Sequence, residues 1–176
     1  MLPAERPSMK WNPGKVVIGL IFAVALSATV FSLWYHQRNS RRALAYWGTS
    51  AGTLIAGAPE IEVLALGTGE SSRQFQVDGQ KYTVTAAADA SQAPGVSNIR
   101  RAMVLDVPFR WDAPPPEQPP AWQYAMLFSD GEESTIVLFD FDSGHIGTPG
   151  GSKALALRPE AIDDWRLFFH EQFEPD

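Results

Sequence analysis

The stretch AWQYAMLFSDGEESTIVLFDFD, residues 121–142, decides the fold class. Trp122, Tyr124, Met126 and Phe128 alternate with Gln123, Ala125, Leu127 and Ser129, and a period of two places each set on one face of a strand. Asp130-Gly131 then supplies a turn, since glycine takes positive φ freely and aspartate bonds its own downstream backbone. STIVLFDFD returns as a second strand, apolar on both faces from Ile136 to Phe139, which predicts an internal place in a sheet.

Working outward toward the C-terminus, Ser143-Gly144 and the run from Gly147 to Gly151 mark turns, and KALALR (153–158) reads as a last strand. Pro159 suits the first turn of a helix in which Ile162, Trp165, Phe169 and Phe173 line one face. Asp163, Asp164, His170 and Glu171 fall on its wet side. Upstream, DAPPPEQPP (112–120) holds five prolines in nine residues and reads as an extended loop. Its Pro116-Glu117-Gln118-Pro119 has the form that proline-binding domains accept inside the cytoplasm, but the favoured reading is a stiff connector between packed elements, pinned by Trp111 and Trp122. EIEVLAL (60–66), RQFQV (73–77) and KYTVTAAA (81–88) form a small meander with an Asp78-Gly79 turn. Val96, Ile99, Ala102 and Met103 predict a short helix stopped by Pro108, with Arg100 and Arg101 facing solvent. Ser40 offers a cap for a helix carrying Leu44, Trp47, Ala51, Leu54, Ile55 and Ala58, ended by Pro59. These elements predict an α+β domain over 43–176, with an antiparallel sheet of about five strands and helices on one face.

Ahead of it lies VVIGLIFAVALSATVFSLWY, residues 16–35, twenty residues without a charge. At the helical rise this length matches the roughly 30 Å hydrocarbon core of a bilayer. Ser27, Thr29 and Ser32 can return their hydroxyls to the helix backbone, and Trp11, Trp34 and Tyr35 flank the run as interfacial rings do. The expectation is a single transmembrane helix, preceded by a flexible tail (1–15) and followed by a basic stem (36–42). Ala23-Val24-Ala25 has the form of a signal-peptide cleavage site, but apolar residues continue past it through Leu33. Arg6, Lys10 and Lys15 before the span balance Arg38, Arg41 and Arg42 after it. The short lead and long trailing part favour an extracytoplasmic C-terminal domain.

From Ala43 onward eight Lys or Arg stand against nineteen Asp or Glu, a formal charge of −11. Such a surface repels nucleic acid and anionic lipid. The chain has no cysteine, which removes disulfides, thiolate catalysis and cysteine-zinc sites together.

The candidate chemistry is sparse. IVLFDFDSG resembles the first motif of the haloacid dehalogenase family, which would make Asp140 the nucleophile and Asp142 the acid/base. Ser143-Gly144 stands where that family has Gly-Thr, and only 34 residues follow Asp142, too few for its parallel sheet. The alternative places both Asp side chains on the solvent face of a strand, neutral to substitution. GTPGGSK (147–153) has the wrong register for a phosphate loop, since Ser152 and Ala154 flank Lys153. Gly67-Thr68-Gly69 lacks a third glycine. Asp140, Asp142 and His145 supply oxygen and imidazole within six residues, the makings of a metal site or small hydrolase. His36, His145 and His170 fall in a stem, a turn and a wet helix face, and none is selected for a triad.

RRALAYWG after the span, APGVSNIRRAMVLD in the middle and YAMLFSDGEESTIVLFDFDSGHI near the end, followed by an aromatic helix, are similar to single-pass membrane proteins of planctomycete bacteria. That resemblance implies an anchor plus a small domain and brings no activity, cofactor or site residue with it. The reading of the chain is a membrane-anchored, non-catalytic binding or scaffold module, held in the lipid bilayer through residues 16–35, with a protein partner possible. The competing class is a small hydrolase or metal-dependent enzyme using Asp140, Asp142 and His145. The two differ in whether those side chains point into one concavity.

Overall fold

The computed structural model describes residues 13–67, 73–77, 79–150 and 154–173, and the chain divides into two compact units between Arg38 and Asn39. Residues 1–12, Asp78 and Lys153 lie outside the described residues. The first unit contains one helix, α1 (Pro13–Asn39). It begins earlier than the uncharged run because proline has no amide to strand in a first turn. It also continues through 36–39, so most of the expected stem is helical. Ser27 Oγ donates to the Ala23 carbonyl (2.8 Å) and Thr29 Oγ1 to that of Ala25 (2.9 Å). Apolar side chains from Val17 to Phe31 are exposed. Among the described residues no helix is long and apolar enough to cross a membrane.

The second unit holds α2 (Arg41–Trp47), α3 (Thr49–Gly57), β1 (Glu60–Gly67), β2 (Gln74–Val77), β3 (Gln80–Asp89) and α4 (Val96–Met103). After the proline-rich loop come β4 (Tyr124–Ser129), β5 (Ser134–Asp140), β6 (His145–Gly147), β7 (Leu155–Ala156) and α5 (Pro159–Phe173). The described strands form one sheet of seven in the order β2-β3-β1-β4-β5-β6-β7, and every neighbouring pair is antiparallel. The architecture is α+β, as the sequence predicts. The sheet is wider than expected because the short strand β6 forms where only turns were anticipated. KALALR shrinks to the two residues of β7, continued by a bridge between Leu157 and Phe109.

Alternation assigns the faces. Ile61 and Val63 stand opposite Phe128 and Met126, and all four enter one large core with Val137, Phe139 and Ile146. The helices supply Trp47, Leu54, Ile55, Ile99, Met103, Trp165, Phe168 and Phe169 to that same core, so they cover a single face. On the other face Leu64, Ala125 and Leu138 stand side by side across three strands and join a smaller cluster with Tyr82, Val84 and Trp122. Gly147 extends that row opposite Leu138. A Cβ at Gly147 would fall 2.8 Å from the Trp122 ring, so glycine is what lets the indole lie on the strand.

The helix expected from Ser40 to Ala58 is two helices. Gly48 breaks it at φ 79°, ψ 167°, a conformation that residues with a Cβ rarely take. The break turns Ala43 and Trp47 inward and leaves Leu44 44% exposed. Ser40 makes no side-chain cap. Instead the Asp106 carboxylate, from a distant loop, accepts the Ala43 amide at 2.8 Å and the Arg42 amide at 3.3 Å. Helix α4 likewise ends at Met103, before Pro108 can stop it.

Candidate functional site

The end of β5 was the sequence's best candidate for chemistry, and its geometry is that of a latch. Asp140 is 3% exposed rather than on a solvent face. Its Oδ1 accepts the Asp142 and Ser143 amides, each at 3.1 Å. Its Oδ2 accepts the Ala121 amide at 2.9 Å and the Ser143 hydroxyl at 2.6 Å. A buried carboxylate with four donors is satisfied, and these four fasten the exit of the proline-rich loop to the β5–β6 turn.

His145 Nδ1 lies 3.0 Å from Ser143 Oγ. The Ser143 proton already points to Asp140, so the imidazole donates from Nδ1 and the hydroxyl accepts. The order is carboxylate, hydroxyl, imidazole. A nucleophilic serine needs the imidazole to take its proton, and here the proton is committed elsewhere. Asp142 points away from this pair. Its carboxylate accepts from Gln123 Nε2 and sits 3.8 Å from Arg166, with 80% of the side chain open. Among the described residues no group of three His, Asp or Glu side chains is arranged to hold a metal. The structure therefore brings Asp140 and His145 to one hydroxyl and sends Asp142 elsewhere.

Trp111 and Trp122 do pin the proline-rich loop, but to different places. Trp111 packs against the large core and donates from Nε1 to the Asp106 carbonyl at 2.9 Å. Trp122 belongs to the small cluster on the other face. Held at both ends, Pro114, Pro115 and Pro116 form one wall of a groove of about 320 Å³ whose other wall includes Ser143, Gly144 and His145. Arg110 and Glu117 supply charges of opposite sign to the same groove. A second groove, of about 430 Å³, adjoins it through Arg110, Ala113 and Pro114 and adds Arg42, Trp111 and Arg158.

Sequence reasoning singled out neither Arg110 nor Arg158, and met Glu117 only inside the motif from Pro116 to Pro119. The local signal is a pair of triplets, Pro108-Phe109-Arg110 and Ala156-Leu157-Arg158, in which two buried apolar residues precede an exposed arginine. Nothing local, however, says that these triplets pair. No protein-family model, curated protein or solved structure matches this chain.

Proposed function

We propose that this chain is a membrane-anchored, non-catalytic binding module whose working surface is the groove beside residues 113–117. The observation that carries the reading is the use made of Asp140. Its carboxylate is spent on four internal donors that hold a stiff proline wall in place, which is how a preformed recognition surface is built. The anchor rests on the uncharged run at 16–35 and on the exposed apolar side chains of α1, and it is proposed although no helix among the described residues is by itself long and apolar enough to cross a membrane. The hydroxyls of Ser27 and Thr29 are bonded back to the helix backbone, as a polar side chain in lipid requires. An extracytoplasmic placement of the domain belongs to the same proposal and rests on the short lead before the span. The hydrolase alternative is the weaker reading, because the Ser143 proton faces Asp140 rather than His145.

Two measurements test it. The full chain should stay in the membrane pellet through carbonate extraction and keep its N-terminus; a mature mass beginning just after Ala25 rejects the anchor. A photo-crosslinking residue at Glu117 should capture a partner in native membranes more strongly than one at Lys81, which is exposed and lines neither groove. Equal capture at both positions rejects the groove as the working surface.

A further inference from the structure

We propose that the groove between Arg42, Arg110 and Arg158 is a binding site for a phosphate group. Three backbone features bring the three arginines to the lining of one groove. Phe109 and Leu157 form a bridge, and both side chains are buried. Their neighbours bond across it, the Arg110 amide to the Ala156 carbonyl and the Arg158 amide to the Pro108 carbonyl, both at 2.8 Å. Because side chains alternate along paired segments, Arg110 and Arg158 emerge together on the face opposite Phe109 and Leu157. Arg42 is brought in by Asp106, whose carboxylate holds the start of α2 while its carbonyl receives the Trp111 indole. The result is a groove with three arginines, one aromatic wall and a single carboxylate, Asp112.

Charge bookkeeping sharpens the point. The domain carries more than twice as many carboxylates as cations. Among the described residues, however, the ion pairs are Arg73 with Glu62 and Arg166 with Asp142. Among the described residues, Arg42, Arg110 and Arg158 make no side-chain hydrogen bond or ion pair, not even with Asp112. Three like charges facing one groove repel each other unless an anion sits between them. Arginine forks match carboxylate and phosphate alike, but a carboxylate brings a single negative charge to three guanidinium groups. Three forks suit a phosphate monoester, with two negative charges and three terminal oxygens. Trp111 forms the wall against which the rest of the ligand can pack.

The phosphate has two possible sources, a lipid headgroup or a soluble phosphate ester. Arg42 follows α1 closely in the chain, so the lipid source rests on the membrane anchor proposed above; the site itself does not. The test uses the full chain in a neutral detergent and isothermal titration with inorganic phosphate, glycerol 3-phosphate, and mixed micelles containing phosphatidic acid or phosphatidylcholine. Saturable binding of at least one phosphate monoester is expected. Arg110→Gln with Arg158→Gln should weaken it at least about tenfold, as loss of charge-assisted bonds does. Lys81→Gln with Arg101→Gln, which removes the same charge elsewhere, should leave it unchanged. Arg110→Lys with Arg158→Lys should fall between, since charge remains but the forks are gone. Binding of phosphatidic acid micelles alone assigns the headgroup; binding of glycerol 3-phosphate as well assigns the soluble ester. Absence of binding by every phosphate probe overturns the site, as does a glutamine double variant that binds like the parent, or a control variant that loses as much. Carbonate extraction, read separately, tells failure of the anchor from failure of the site.

Discussion

Asp140 sits where water hardly reaches, and all four of its partners are donors, so substitution acts on them as much as on the carboxylate. Asp140→Asn turns an NH2 group toward partners of which three are backbone amides that can only donate, and the expected cost is about 2–3 kcal/mol. Asp142→Asn, on a side chain 80% open, should stay within about 0.5 kcal/mol. Urea melts of the two variants check this, and equal effects would return both residues to the solvent-exposed role that the DxD spacing suggests. Asp130 illustrates the opposite setting. Fully exposed at a hairpin, its carboxylate accepts the Glu133 and Glu132 amides, which hold its pKa below the ordinary 3.8. The unfolded chain therefore takes up this proton first as pH falls. The contribution to stability is complete above 3.8 and vanishes as pH drops through the lower folded value. Asp89, held down by the Ser91 hydroxyl and then its amide, adds a contribution of the same sign. Asp130→Ala should thus differ most from the parent near neutral pH, and the gap should close in acid. A gap that widened in acid would reverse the assignment.

At the scale of elements, α5 shows how far a stripe of residues can be read. Phe169 is fully buried, with ring centroids 4.8 Å from Phe139 and 5.0 Å from Tyr124. Phe169→Ala should cost about 3–5 kcal/mol and Asp164→Ala almost nothing. Near-equal urea midpoints for parent and Phe169→Ala would detach the helix from the core. Trp165 and Phe169 were legible because helical spacing announces them. Phe168 was not, since it enters the core one step off the stripe, beside α4. The β4–β5 hairpin and the β1 and β3 strands were legible for the same periodic reason. Gly48 was not read as a break, because a glycine weakens a helix in a sequence pattern without showing which way the chain turns. The site was the least legible part. Asp140 lies inside because Ala121 and Ser143 come to meet it, and the arginine groove depends on a single bridge between residues 109 and 157.

At the scale of the whole molecule, the unit from Asn39 onward contains both apolar clusters and all seven described strands. A fragment beginning at Asn39 should fold by itself, with a cooperative melt and native aromatic circular dichroism. A fragment that melts without a transition would show that the domain depends on the preceding segment. Its formal charge from Ala43, −11, should keep it from adsorbing to nucleic acid or anionic vesicles over most of its surface. Any attraction to phosphate should then localise to the groove lined by Arg42, Arg110 and Arg158.

The position of β1 has a consequence for how the protein is made. It lies between β3 and β4, yet β3 follows it closely while β4 begins at Tyr124, after the helix α4 and the proline-rich loop. As the chain leaves the ribosome, β1, β2 and β3 can pair while one edge of β1 stays open, with Ile61 and Val63 uncovered on its inner face. That edge closes only when the Tyr124–Ser129 segment emerges. Synthesis therefore passes through an interval in which a bare apolar strand edge waits for its partner, the condition under which nascent chains aggregate or recruit a chaperone.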